Sequence, residues 1–148
     1  MSKRIYLDNA ATTKTATEVV EAMLPYFTEY YGNPSSIYDF SSKSREAVAH
    51  AREVIAHSLG AKTNEIYFTA GGTEADNWAL EATYELLCKK GNHIITTKIE
   101  HHAILHTCEY LEKNRGARVT YLDVDENGIV KLEDLEKAIT PETILISV

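Results

Sequence analysis

Glu65-Ile-Tyr-Phe-Thr-Ala-Gly-Gly-Thr-Glu-Ala-Asp-Asn-Trp-Ala-Leu80 joins an apolar run, a glycine turn and the start of a helix in one stretch. Ile66, Tyr67, Phe68 and Thr69 are aromatic or β-branched, the composition of a buried strand, and Gly71-Gly72 ends the run. From Thr73 the spacing becomes helical. Ala75, Trp78, Ala79, Ala82 and Leu86 fall on one face, and Leu80, Tyr84 and Leu87 on another, which predicts a helix lying between two layers. Thr73 is an N-cap type, and Glu74 and Asp76 place acid where the helix dipole favours it. Two readings of the turn stand side by side. One is an anion cup, in which residues without Cβ let backbone N–H groups approach a phosphate, the helix end adds partial positive charge and Thr73 adds a hydroxyl. The other is a plain strand-to-helix connection. The spacing fits neither GxxxxGK[ST] nor GxGxxG, so no Walker loop or dinucleotide fingerprint is expected.

Outward from this stretch the same unit repeats. His93-Ile-Ile-Thr-Thr97 reads as a strand and Ile104, Leu105, Cys108 and Leu111 as the stripe of the helix after it. Arg118–Leu122 is a further strand, Leu132, Leu135, Ala138 and Ile139 mark a short helix, and Thr143–Val148 is a last apolar strand. Such alternation predicts an α/β fold with a mainly parallel sheet and helices on both faces. Ligands of such sheets sit at the carboxyl ends of strands, where Ala70–Thr73 and Lys98–His102 both fall. Upstream, residues 5–15 read as a short extended segment and loop. Val20, Met23, Leu24, Phe27, Tyr30 and Tyr31 follow helical spacing, in which Pro25 predicts a kink or a broken turn. Gly32-Asn-Pro-Ser-Ser36 is loop, and Ala47 to Leu59 is helix with Gly60 at its C-cap.

Composition bounds the function. The 148 residues are one domain's worth, and 44% hydrophobic against 25% charged residues is ordinary for a soluble globular protein. A net charge of −7 without a basic stripe argues against nucleic acid or an anionic membrane as partner. No stretch has the length of a membrane span and the N-terminus has no apolar leader, so a cytoplasmic protein is expected. Cys88 and Cys108 stand beside apolar residues and are expected as buried free thiols.

Two constellations imitate metal sites. His102 and His106 have the i,i+4 spacing of H-E-x-x-H, but position 103 is Ala and no third ligand is evident. Asp123–Asp134 has oxygen ligands at the first, third and fifth places of a calcium loop and Gly128 at the sixth. Its twelfth place is Asp134 rather than Glu, and a strand precedes it, so an acidic turn is expected instead of a metal site. A histidine at the top of a strand facing a phosphate cup has another use: its ring can stack on a planar cofactor or move protons.

Four motifs in order, Tyr6-Leu-Asp-Asn-Ala-Ala-Thr-Thr13, Gly32-Asn-Pro-Ser-Ser36, Phe68-Thr-Ala-Gly-Gly-Thr-Glu74 and Glu100-His101, resemble the N-terminal part of the NifS/IscS-like cysteine desulfurases of the class V aminotransferase family. The resemblance runs along essentially the whole chain. It implies pyridoxal 5′-phosphate as cofactor in a fold type I enzyme, with Gly72 and Thr73 on the phosphate and His101, rather than His102, stacked on the ring. It further implies that residues 1–15 associate with the small domain and that 16–148 begin the large cofactor-binding domain. The implied reaction removes sulfur from L-cysteine, leaving alanine and an enzyme persulfide, in a homodimer that hands sulfur to an acceptor protein for iron–sulfur cluster assembly. The family's Schiff-base lysine, the aspartate that pairs with the pyridine nitrogen, the substrate arginine and the persulfide cysteine match nothing here and are expected in a C-terminal part beyond Val148. Tyr38, Ser41 and Ala70 stand where the group often has His, Gly and Ser; Ala70 lacks a hydroxyl donor, which points to weaker phosphate binding. The same resemblance leaves a selenocysteine lyase, a small-amino-acid aminotransferase and a non-catalytic binding or assembly half as alternatives. It also places the partner strand of residues 65–69 in the missing part, so that these 148 residues alone are expected to be inert and poorly stable.

Overall fold

The computed structural model describes residues 5–148, so the first four residues of the expected N-terminal segment lie outside it. The chain divides into two compact units, the first ending at Tyr67 and the second spanning Phe68–Val148.

In the first unit, α1 (Thr17–Met23) gives way to α2 (Pro25–Thr28). Pro25 has no N–H to continue the ladder and its fixed φ suits the first position of a new helix, so the helical ladder is interrupted there while Leu24, between the two pieces, keeps helical angles of φ −51° and ψ −44°. The long helix α3 (Ser42–Leu59) ends at Gly60, whose φ of +65° is the left-handed conformation that a Cβ disfavours. The amide of Ala61 then reaches back to the Ala56 carbonyl at 2.9 Å and closes the last turn. Side chains of α3 tie down the Gly32–Ser36 loop region: Ser44 Oγ donates to the Tyr30 carbonyl and Arg45 Nη1 to that of Ser36 at 2.7 Å.

The second unit contains α4 (Gly72–Leu87), β1 (His93–Thr97), α5 (His102–Arg115), β2 (Arg118–Leu122), α6 (Leu132–Ala138) and β3 (Thr143–Ile146). The three strands form a parallel sheet in the order β2-β1-β3. All five residues of β1 are buried, as a central parallel strand covered on both faces requires. On one face Ile94 packs with Leu80 and Tyr84 of α4 and with Ile104, Cys108 and Leu111 of α5. Burying an aliphatic side chain of this size stabilises by about 1.5–3 kcal/mol. Tyr84 Oη donates to the Arg115 carbonyl at 2.8 Å, fastening the end of α4 to the end of α5.

His93 is a polar member of this interior. Its Nδ1 and Nε2 lie 2.8 Å from Thr143 Oγ1 and Thr120 Oγ1, so one ring joins all three strands. Burial, and secondarily the Arg118 guanidinium, hold its pKa below the ordinary value, which keeps the ring neutral. Gly91, just before β1, passes so close to Glu142 that a Cβ would overlap the Glu142 carbonyl.

Several expectations are corrected. Residues 66–69 are extended where they begin, Ile66 having φ −100° and ψ 125°, but they form no strand and lie outside the sheet, in line with the expectation that they have no partner among the other strands of this chain. Strand propensity is local, whereas a strand needs a neighbour at ladder distance. Of the two apolar faces of α4 only that of Leu80 and Tyr84 is buried; Trp78 and Leu86 are 50% and 79% exposed, because a second layer is needed to cover them. Cys88 is exposed at the C-cap of α4, while Cys108 is buried as expected, and burial raises its thiol pKa to about 11. The last strand ends at Ile146 instead of Val148. The acidic segment is the expected turn: Asp125 Oδ1 accepts from the amides of Asn127 and Ile129 at 2.8 and 2.9 Å, and Val124 bridges Val130. Among the described residues no helix is long and apolar enough to cross a membrane.

Candidate functional site

The glycine turn opens α4. Gly71 is extended at the N-cap and the helix begins at Gly72, so Thr73 stands one residue inside the helix and is not the expected cap. A first turn has amides without acceptors inside the helix, and here no capping side chain comes from the N-cap. Glu74 instead reaches back, Oε2 accepting from the Ala70 amide at 2.5 Å, which closes the turn as a ring. A Cβ built on Gly71 or Gly72 would meet nothing within 4 Å. Gly71 is extended at φ 169°, and neither glycine lies in the left-handed region. The packing of the chain therefore does not demand them, and what their bare backbone leaves is room for something to approach. They line an open cleft of about 800 Å³ together with Ala70, Thr73, Trp78 and Glu81.

The second helix start lies at the end of β1. Thr97 Oγ1 donates to Glu100 Oε1 at 2.8 Å, fixing the turn that leads to His101. His101 is the N-cap of α5, and its Nδ1 accepts from the Ala103 amide at 3.1 Å. An accepting Nδ1 in a neutral imidazole assigns the proton to Nε2. The ring is thus oriented by the helix it caps while remaining exposed. His102 stacks instead on His106, with centroids 5.1 Å apart and planes at 28°. Among the described residues no three His, Cys, Asp or Glu side chains come together as a metal site.

The two helix starts converge. Thr73 and His101 line one cleft of about 340 Å³, with Asn77, Glu81, His106 and Tyr110 among its walls. Gly72 and Thr73 meet in the adjoining larger cleft. Asn77 went unnoticed in the sequence. One end of its amide faces three oxygens, Thr107 Oγ1 at 2.9 Å and the carbonyls of Ala103 and Thr73 at 3.1 Å each, so that end is the NH₂ group and donates. Its signal in sequence was only position, four residues after Thr73 on the face turned toward α5.

The class-V aminotransferase family model matches residues 5–148. The chain belongs to that family. Over all 148 residues it is 61% identical to a cysteine desulfurase IscS of Clostridium botulinum, covering 37% of that relative. The solved structure of a NifS-like protein superposes with a TM-score of 0.92 at 42% identity, over 97% of this chain and 39% of the other. A structure described as SspA in complex with cysteine follows at 0.88 and 39% identity, over 95% and 40%. The class-V chain thus spans well under half the length of the proteins it matches, and it has the N-terminal part of their α/β fold.

Proposed function

We propose that the chain is the N-terminal portion of a pyridoxal-phosphate-dependent cysteine desulfurase. The observation that carries this is the convergence of two helix starts, Gly72-Thr73 and His101, on adjoining clefts at one end of the α4–α5 pair. The residues fit the cofactor. The bare backbone at Gly71 and Gly72 leaves a cradle at the positive end of α4 for a phosphate dianion, and the Thr73 hydroxyl is at hand as a further donor. His101, held flat by its bond to the Ala103 amide, offers a ring face for stacking and a proton on Nε2 for exchange. When bound, pyridoxal phosphate supplies an electron sink for the carbanion formed on an amino acid.

In this reading L-cysteine is the substrate, as the relatives named cysteine desulfurase and the cysteine-bound neighbour support. Its sulfur passes to a cysteine thiol of the enzyme, leaving alanine and a persulfide. In this reading, as the family resemblance implies, that thiol belongs to the part not spanned here; Cys108, buried with its pKa raised to about 11, is ill suited to be the nucleophilic thiolate. The cofactor-bearing lysine belongs to the same part. Residues 1–15 side with the small domain and 16–148 with the large one, in a cytoplasmic homodimer that passes sulfur to an acceptor protein for iron–sulfur cluster assembly.

The test uses the full-length protein. Incubated with L-cysteine and a thiol, it is expected to form alanine and sulfide in equal amounts. His101→Gln is expected to shift the visible absorption of the bound cofactor, and His102→Gln to leave it in place. Alanine formation without sulfide, or a shift confined to the His102 variant, contradicts the reading.

A further inference from the structure

We propose that Asn77 is a positioning residue, whose side-chain amide sets the α4 and α5 helix starts against each other and so fixes Thr73 relative to His101. The inference rests on the reading that those two residues hold pyridoxal 5′-phosphate.

Asn77 stands one turn into α4, and its NH₂ group faces three acceptors: the Thr73 carbonyl on its own helix, and the Ala103 carbonyl and Thr107 hydroxyl on α5. Thr107 and Ala103 are 6% and 8% exposed, so water competes poorly for these bonds. Ala103 is the residue whose amide holds the His101 ring at Nδ1. Asn77 therefore grips the carbonyl of one site residue, Thr73, and the carbonyl of the residue that orients the other. The bond requires a donor. Aspartate at 77 would set carboxylate oxygens against two carbonyls and be tolerated only when protonated, which raises its pKa. Alanine would leave the α5 acceptors without a partner.

The experiment uses the full-length protein in four variants, Asn77→Ala, Asn77→Asp, Thr107→Val and Thr73→Ala. Three readouts are taken: the dissociation constant of the apo-protein for pyridoxal 5′-phosphate, the circular dichroism of the bound cofactor, and the melting temperature of the apo-protein. Both Asn77 variants are expected to bind the cofactor about tenfold more weakly and with altered dichroism, as loss of about one such hydrogen bond implies. The Asn77→Asp deficit is expected to shrink relative to Asn77→Ala as pH is lowered from about 7 to about 5, because the protonated carboxyl can donate. Thr107→Val, which keeps the shape and removes one acceptor, is expected to give a smaller loss in the same direction and covers the case in which the Asn77 variants do not fold. A lowered apo melting temperature with parental affinity and dichroism overturns the proposal, since Asn77 would then be merely structural. So does an Asn77→Asp deficit that does not respond to pH. If Thr73→Ala loses affinity while the Asn77 and Thr107 variants do not, only the role of Asn77 falls. If Thr73→Ala also binds as the parent does, the cofactor reading falls with it.

Discussion

At the scale of single residues, the most informative groups are those whose surroundings explain why no other side chain would serve. His93 is neutral because burial disfavours its charged form, whereas in the unfolded chain it titrates near the ordinary value of about 6.5. The unfolded state therefore binds more protons below that pH, and the sign of the linkage makes stability fall as pH drops through about 6.5. The melting temperature of the full-length protein, measured from pH 8 to 5, is expected to decline over the acid part of the range, and His93→Gln is expected to flatten that decline while lowering stability throughout. An equally steep decline in the variant would assign it to other groups. Gly91 is a second case: its backbone lies against the Glu142 carbonyl, so Gly91→Ala must push β1 and the start of β3 apart. A loss of about 1–3 kcal/mol is expected, the range for overpacking, measured by denaturant titration of the full-length protein. An unchanged midpoint would mean the two segments yield freely. Neither residue was conspicuous in the sequence. A histidine inside a β-branched run and a glycine before it carry no periodic mark, and their roles exist only once the strands are side by side.

Among the elements, β1 and β2 have the limits their residues foretell, because short β-branched runs bounded by Lys-Gly-Asn and by Gly-Ala leave little choice. The break at Pro25 and the stop at Gly60 were equally legible, since both follow from the local backbone chemistry of one residue. Residues 66–69 show the opposite situation. Their side chains suit a strand as well as those of β1 do, but a strand is a pairing, and the sheet of β1, β2 and β3 has no place for them. The helix that follows repeats the lesson: the spacing marked two apolar faces on α4, and only one has a layer against it. Of the candidate site, Gly72, Thr73 and His101 were marked by turn chemistry and motif, whereas Asn77 was not, because a polar residue gripping a neighbouring helix has no signature in its own helix. In the complete protein, residues 66–69 are expected to be paired. Hydrogen exchange should show their amides protected there to the same degree as those of β1, and fast exchange at these four positions would contradict that pairing.

At the scale of the whole molecule, the described residues include a sheet with β2 and β3 at its edges, an extended apolar segment outside the sheet, and large apolar side chains such as Ile37 and Leu86 at 91% and 79% exposure. Surfaces of this kind associate or aggregate unless something covers them. Prepared as these 148 residues alone, the polypeptide is expected to lack a cooperative melt and to release no sulfide from cysteine. A monomer that melts cooperatively and turns over cysteine would refute this. The central claim is that the start of α4 holds the phosphate of pyridoxal 5′-phosphate through Gly72 and Thr73. Its most direct test compares the full-length apo-protein and its Thr73→Ala variant in their affinities for pyridoxal 5′-phosphate and for pyridoxal, which lacks the phosphate. The variant is expected to lose about 1.5–3 kcal/mol, the worth of a hydrogen bond to a charged group, toward the phosphorylated compound and nothing toward pyridoxal. Equal losses for both compounds, or no loss for either, would contradict the claim.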